Sequence, residues 1–555
     1  MYTVEYNKLP NFNNLFLDYI SHNEDYSQKL SKYFFADYRE SQDIAKVIEN
    51  KAQNYNANRY FDKNTLIDIL KSQNMAFGGN EITASNIELL KDDNTFAVVT
   101  GQQVGLYTGN LYTIFKLITA IKLTNELKNK FPEYNFVPIF WLESEDHDLD
   151  EANHVFVINK QNELVRIGYE SEVVEESDGA RRNLKPVGSL KFDNTITEHN
   201  QKLKHSLIDT DFKESLFEKI NTYYTPGNNY KSSFAGLLNW IFKDYGPVII
   251  DCGDVEVKKL LTPVFEKELT TSPKLCESII TTSAELEHNY DLQVKPKVIN
   301  LFFIHNDNRL LIEPRENNRF ALRNSKRRFE HDEIMNILFE NPELFSPNVV
   351  LRPICQDYLL PTVAYVGGPS EISYFAQLKA AYEHYDITMP VIYPRASVTI
   401  LENKINKFLK NFNIDFTEVF HHKTLISKVA DKLSEIKVED EISKAQDEFN
   451  SIFYELKNMT AMIDKTLQNS LENVKEKLNA SMEIFKNKLI NAQALKSDTT
   501  TVQIDKVVNN LYPGSKLQER FINVTYFLNK YNDTFIKKLF YEIDVNNFSH
   551  QVIEF

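Results

Sequence analysis

The chain has 555 residues, with 63 Lys and Arg against 78 Asp and Glu, a formal net charge of −15. A hydrophobic share of 42% with 25% charged residues is that of a globular protein and excludes wholesale disorder. Apolar runs such as Phe136–Leu142 fall far short of the ~20 residues of a membrane-spanning helix, and a pI near 5.4 argues against a broad nucleic-acid footprint. No membrane and no nucleic-acid partner are therefore expected. The first residues, MYTVEYNKLP, have neither a basic nor an apolar leader region, and the three cysteines (Cys252, Cys276, Cys355) lack metal or disulfide spacing. A cytoplasmic protein of about three to five structural units is expected.

In chain order, Thr95–Thr100 reads as a buried strand that runs into a glycine-bearing loop, Thr100–Thr113. A helix is predicted at roughly Leu111–Lys130, and Phe136–Leu142 reads as the next strand. Strand, glycine loop, helix and strand form a βαβ unit, so the sheet is expected to be parallel. The loop carries Gly101, Gln102, Gln103, Gly105 and Gly109. It matches neither dinucleotide nor Walker spacing. Its place between strand and helix still suits a ligand at the helix N-terminus, with a tight βα turn as the plain alternative.

The second strand ends in Glu143, Ser144, Glu145, Asp146, His147 and Asp148, followed by Asp150, Glu151 and His154. So many acids beside a histidine could orient an amine, ligate a metal or serve as general acid and base. The spacing matches no standard zinc pattern, and a solvated acidic loop is the alternative. Asn159–Lys191 is polar and reads as part of an insertion. Val248–Asp251 is another buried strand, and Ile299–Ile304 with Arg309–Ile312 reads as a hairpin around His305–Asn308.

The segment from Ser346 to Gln377 mixes prolines, paired glycines and single charges. Arg352 could clamp a carboxylate or phosphate. Asp357, Glu371 and Gln377 could hold polar groups of a small substrate. Cys355 reads more readily as a buried structural thiol than as a nucleophile.

Ala396–Tyr512 contains no glycine and no proline, which argues for long helices. Val398–Phe412 and Thr424–Ile436 are helical in pattern. Apolar residues then recur at Ile442, Ala445, Phe449, Ile452, Leu456, Met459 and Ile463, in heptad spacing. They continue, with extra fours, through Leu467, Leu471, Val474, Leu478, Met482, Phe485 and Leu489. As one helix this stripe would run ~72 Å at 1.5 Å per residue. Such a rod would need cover from a second copy of the chain, so a homodimer is expected.

The strings TGQQVGLYTGNLYTIFK, FWLESEDHDLDEANHV, RPICQDYLLPTVAYVGGPSEISYFAQL, MPVIYPRAS and LYPGSKLQER resemble the BshC family, cysteine-adding ligases of bacillithiol biosynthesis. The resemblance spans most of the chain. It implies an α/β fold with a Rossmann-like parallel-sheet core similar to class I synthetase nucleotidyltransferases, inserted connecting-peptide subdomains and a long α-helical coiled coil that dimerises. The expected organisation is a core over 1–395 with an insertion at about 157–245, a coiled coil over 396–500, and a segment over 501–555 returning to the core.

The implied reaction adds L-cysteine to glucosaminyl-malate, with ATP or another nucleotide as the expected activator through an acyl-adenylate; a metal requirement is left open. The His-x-Gly-His and Lys-Met-Ser-Lys-Ser elements of class I synthetases are absent, with Tyr112 and Lys116 near the place of the first. The expected catalytic set is Asp146, His147, Asp148, Arg352, Gln356 and Asp357. The expected binding set is Gly101, Gln102, Gln103, Gly109, Tyr112, Lys116, Tyr365, Gly367, Gly368, Glu371 and Arg395, with Arg352 and Arg395 supplying positive charge for an anionic substrate. A metal-dependent amide hydrolase and a non-catalytic coiled-coil scaffold binding a nucleotide or thiol are the alternative readings.

Overall fold

The computed structural model describes residues 1–24, 26–55, 61–169, 184–433, 438–495 and 498–555. These divide into two compact units. The first comprises Met1–Lys160, Val165–Val398 and Glu519–Val552, and the second Gln161–Leu164, Thr399–Gln518 and Ile553–Phe555.

The first unit is built on a parallel sheet of five strands: β1 (Thr95–Gln103), β2 (Asn135–Glu143), β3 (Val248–Asp251), β4 (Thr362–Gly367) and β5 (Val391–Pro394). Their spatial order is β5-β4-β1-β2-β3. The strands are continuous runs of Val, Ile and Phe, as expected where helices cover both faces of a sheet. The chain therefore builds outward from β1 through β2 to β3, then returns to the other side of β1 to add β4 and β5. That reversal creates a switch point between β1 and β4, where the crevice outside the strand ends is open to a ligand.

β1 is longer than its hydrophobic run predicts. It continues through Thr100, Gly101, Gln102 and Gln103 in register with Phe140, Trp141, Leu142 and Glu143. Gly101 allows this, because a Cβ there would lie 2.8 Å from the Trp141 carbonyl oxygen. The glycine loop beyond it turns through positive φ at Tyr107, Thr108 and Gly109, a conformation suited to glycine at position 109. Asn523 holds this turn by donating to the carbonyls of Tyr107 at 2.9 Å and Gly109 at 2.5 Å. Helix α1 (Tyr112–Lys130) follows and lies on the sheet.

Between β2 and β3 the described residues hold two short strands, His154–Ile158 and Leu164–Gly168, and helices Ile196–Ser206, Lys213–Tyr223 and Tyr230–Ile241. Part of the polar stretch Asn159–Lys191 lies outside the described residues. After β3 come α2 (Val255–Thr271) and a five-stranded sheet with antiparallel neighbours. Its hairpin pairs Leu301–His305 with Asn308–Arg315. Asn306 and Asp307 form the two-residue turn at positive φ, as this hairpin type requires. Helices α3 (Arg352–Leu359) and α4 (Pro369–Phe375) flank β4.

The second unit contains α5 (Asn403–Phe412), α6 (His422–Leu433), α7 (Val438–Ile463), α8 (Gln468–Leu495) and α9 (Asp498–Leu511). Two expectations change here. Val398–Leu401 is a strand, since its β-branched run favours extended backbone, and the helix starts only at Asn403. The apolar stripe is also not one rod. Asp464 is extended and accepts from Thr466 N and Oγ1, both at 2.8 Å. It thus caps the chain's re-entry into helix. The first of the extra fours, Ile463 to Leu467, spans this turn, and α7 and α8 pack on one another as a helical hairpin. Val438 packs there with Ile426, Ile442 and Leu489. Among the described residues no helix is long and apolar enough to cross a membrane.

Candidate active site

A cavity of about 640 Å³ opens outside the carboxyl ends of the sheet strands. Four of the five strands feed it: Gly101, Gln102 and Gln103 from β1, Glu143 from β2, Tyr365 with Gly368 at the end of β4, and Arg395 just after β5. Tyr112 and Lys116 enter from α1, Asp146, His147 and Glu151 from the acidic loop, Arg352 from α3, and Glu371 and Tyr374 from α4. The three separated motifs of the sequence thus share one wall system.

Five expected residues lie elsewhere. Asp148 caps the short helix Leu149–Ala152 by accepting from Glu151 N at 3.2 Å. Gly109 and Gly367 are not among the lining residues. Gln356 and Asp357 are buried behind Arg352, at relative exposures of 0% and 1%. Cys355 is fully buried, and that burial pushes its thiol pKa up, as a structural thiol requires. His154 meets Asn153 at 3.1 Å, and Asp150, like His154, is not a lining residue. Gln377 works at a distance: it accepts from the backbone N–H groups of Gln293 at 3.2 Å and Val294 at 3.1 Å, holding the loop that brings Lys295 and Lys297 to the cavity.

Buried charges around the cavity are paired. Lys116 Nζ lies 2.6 Å from Glu371 Oε2 and donates to Gly101 O at 2.8 Å and Gln102 Oε1 at 3.0 Å. Glu371 also accepts from Tyr365 OH at 2.6 Å and Gly368 N at 2.7 Å. Burial alone would raise its carboxyl, but Lys116 and these hydrogen bonds hold it below the usual range. Glu145 is paired with buried Lys258, and Asp251 lies 2.6 Å from Lys231. Glu145 also brings a ligand atom within 4.8 Å of Glu143 and Cys252. Burial, and next the neighbouring Glu145, raise the Glu143 carboxyl.

Arg395 does not offer the free charge expected of it. Its guanidinium is bidentate on Glu519, at 3.0 and 2.7 Å. Glu519 also accepts from Val398 N at 2.9 Å and Ser397 Oγ at 3.0 Å, and Ser397 meets His550 Nδ1 at 2.8 Å. Arg395 therefore shapes the wall beneath Tyr112, whose ring it faces at 5.7 Å.

Arg352 is different. It is 8% exposed, and its Nη1 and Nη2 donate to Gln356 Oε1 and Tyr374 OH, both at 3.1 Å. Its guanidinium lies 5.3 Å from the Tyr365 ring centre. All three are neutral, and the Glu143 carboxylate favours the guanidinium electrostatically. A cation in the first turn of a helix is also opposed by the helix dipole. The arrangement is one that an incoming anion completes.

The sequence reading missed four other cations of the wall: Lys295, Lys297, Arg309 and Arg520. Arg309 sits directly after the predicted hairpin turn, and Arg520 ends the string LYPGSKLQER, so both lay beside features already noted. Lys295 and Lys297 carry no such signal. Arg309 donates to Ser346 Oγ at 2.9 Å and Pro347 O at 2.7 Å, with Nη1 at 3.8 Å from Asp146 Oδ1 and 3.4 Å from His147 Nδ1. Asp146 also accepts from Gln103 and from His147 N at 2.8 Å.

Burial lowers the pKa of His550 to about 4 and keeps the imidazole neutral. The unfolded chain takes up this proton near pH 6.5, whereas the folded chain does not until about pH 4. This contribution to stability is therefore complete above pH 6.5 and declines as pH falls toward 4. His550→Asn should flatten that decline, read as the shift of the urea unfolding midpoint between pH 7 and pH 5.

The family description "Bacillithiol biosynthesis BshC, N-terminal Rossmann-like domain" matches residues 2–396, and "Bacillithiol biosynthesis BshC, C-terminal coiled-coil domain" matches residues 398–555. The chain is 36% identical over 540 residues to a Chloroherpeton thalassium protein named "Putative cysteine ligase BshC", covering 95% of this chain and 94% of that one. Proteins of the same name in Salinibacter ruber and Flavobacterium psychrophilum are 36% and 31% identical, the first covering 90% of each chain, the second 97% of this chain and 96% of its own. With both its Rossmann-like and its coiled-coil parts matched in order, this chain belongs to the BshC family of bacillithiol biosynthesis.

Proposed function

We propose that this protein joins the carboxyl group of L-cysteine to the amine of glucosaminyl-malate in the switch-point cavity, acting in the cytoplasm as the amide-forming ligase of bacillithiol synthesis. The observation that carries this reading is Arg352, a buried guanidinium whose hydrogen-bond partners among the described residues are neutral, facing a 640 Å³ cavity. Glucosaminyl-malate offers two carboxylates and one amine. Arg352 supplies the planar fork that a carboxylate fits.

The other side of the cavity suits the amine. Glu143, Asp146 and Glu151 line it beside His147. Burial raises Glu143 and makes it a better proton acceptor than an ordinary carboxylate, so it is the group assigned to the proton released as the amine attacks. Asp146, fixed by Gln103 and the His147 backbone, orients the ammonium before that step.

The donor set also suits a nucleotide. Lys295, Lys297 and Arg520 line the cavity and would hold its phosphates. When bound, a nucleoside triphosphate would supply activation of the cysteine carboxylate. The chain's own part is to place that carboxylate against the amine and meet developing oxyanion charge with backbone N–H groups.

Purified protein given L-cysteine, glucosaminyl-malate and ATP should form bacillithiol, detected by mass spectrometry of the derivatised thiol. Arg352→Met should lower kcat/KM by about 100-fold or more, as expected when a charged hydrogen bond to substrate is lost. Product formed at the wild-type rate by Arg352→Met would refute the assignment.

The helical hairpin leaves apolar side chains in solvent. Ile452, Met459, Val474 and Phe485 are 51%, 49%, 54% and 55% exposed. We propose that a second copy of the chain covers this stripe, giving a homodimer through α7 and α8. Sedimentation should show a wild-type dimer at micromolar concentration, and Ile452→Glu with Val474→Glu should convert it to a folded monomer. A wild-type monomer at that concentration would remove the proposal.

A further inference from the structure

Behind Arg352 runs a buried line of polar side chains that ends at an acid and an amine, Asp357 and Lys51. Arg352 Nη1 donates to Gln356 Oε1 at 3.1 Å, and Gln356 Nε2 donates to Asp357 Oδ1 at 2.9 Å. Asp357 Oδ2 accepts from Tyr382 OH at 2.7 Å. Beyond it lies Lys51, which is 3% exposed and has no hydrogen-bond partner among the described residues; burial raises the Asp357 carboxyl and lowers the Lys51 amine, and each group's charge partly offsets the shift of the other.

The polarity of this line admits one arrangement. A guanidinium has only donors, and the carboxyl group of Asp357 offers an acceptor oxygen in either protonation state. The Gln356 carboxamide lies between them, so its oxygen must face Arg352 and its nitrogen must face Asp357. Reversal would set N–H against N–H at one end and oxygen against oxygen at the other. Asp357 therefore fixes the amide, and the amide fixes the guanidinium. Tyr374 OH holds the second edge of the fork.

We propose that Gln356 and Asp357 are positioning residues, which aim the Arg352 fork into the cavity so that it meets one substrate carboxylate squarely. They were expected from the sequence to be catalytic. Their burial keeps them from touching substrate, and they act through Arg352 alone. The proposal rests on the reading of Arg352 as the carboxylate-binding group.

Steady-state kinetics with glucosaminyl-malate as the varied substrate separate the two ideas. Gln356→Met removes both ends of the link while keeping side-chain volume, and should raise KM by about 10-fold with kcat changed far less. Asp357→Asn retains an acceptor for the amide and should raise KM less than Asp357→Leu does. In an Arg352→Lys background, Gln356→Met should add nothing further.

If Arg352→Lys leaves KM unchanged, the reading of Arg352 fails. If Arg352→Lys raises KM but Gln356→Met raises it by the same factor in both backgrounds, the link fails while that reading stands. Near-ultraviolet circular dichroism establishes folding of each variant. Should Gln356→Met not fold, the Asp357→Asn and Asp357→Leu pair decides: a smaller rise in KM for Asp357→Asn supports the link, and equal rises overturn it.

Discussion

Burying a charge is unfavourable unless something compensates it, and this constraint organises the cavity. Lys116 is compensated by Glu371, Lys258 by Glu145, Lys231 by Asp251 and Arg395 by Glu519. Arg352 has its guanidinium edges on an amide oxygen, a phenol and an aromatic face. Glu143 favours its charge electrostatically, but the guanidinium's hydrogen-bond partners among the described residues are neutral, so the fork can take an anion from outside the protein and serve as a recognition device. The switch point supplies the space, and the paired charges supply walls that do not shift when an anion enters.

The parallel sheet was legible because its signals are local. Thr95–Thr100, Phe136–Leu142 and Val248–Asp251 are apolar runs of strand length, and the glycine loop lies between the first two. The extension of β1 through Gln103 was not legible, since a Gly-Gln-Gln segment has weak strand preference and is held there by its register with β2. The long helical region was legible from its lack of glycine and proline. The turn at Asp464 was marked only by an Asp-x-Thr cap inside an unbroken stripe, and periodicity alone read through it.

The site divides along the same line. Gly101, Gln102, Gln103, Asp146, His147, Arg352 and Glu371 were found because they cluster in sequence and end strands or begin helices. What each does depends on partners far away in the chain. Arg395 is neutralised by Glu519, 124 positions later, so the charge expected of it is not available. Arg309, Lys295 and Lys297 reach the cavity from a separate small sheet and the loop before it. Only the hairpin turn before Arg309 marks any of them, and no local pattern marks Lys295 and Lys297. Gln356 and Asp357 were picked out as chemistry-bearing and are so, but one layer removed from the substrate.

The most direct test of the central claim is a crystal structure with glucosaminyl-malate bound. A substrate carboxylate should lie about 3 Å from both terminal nitrogens of Arg352, with the Gln356 oxygen still turned toward that guanidinium. A substrate bound with its carboxylates elsewhere, or Arg352 swung onto a carboxylate of the protein itself, would contradict the account.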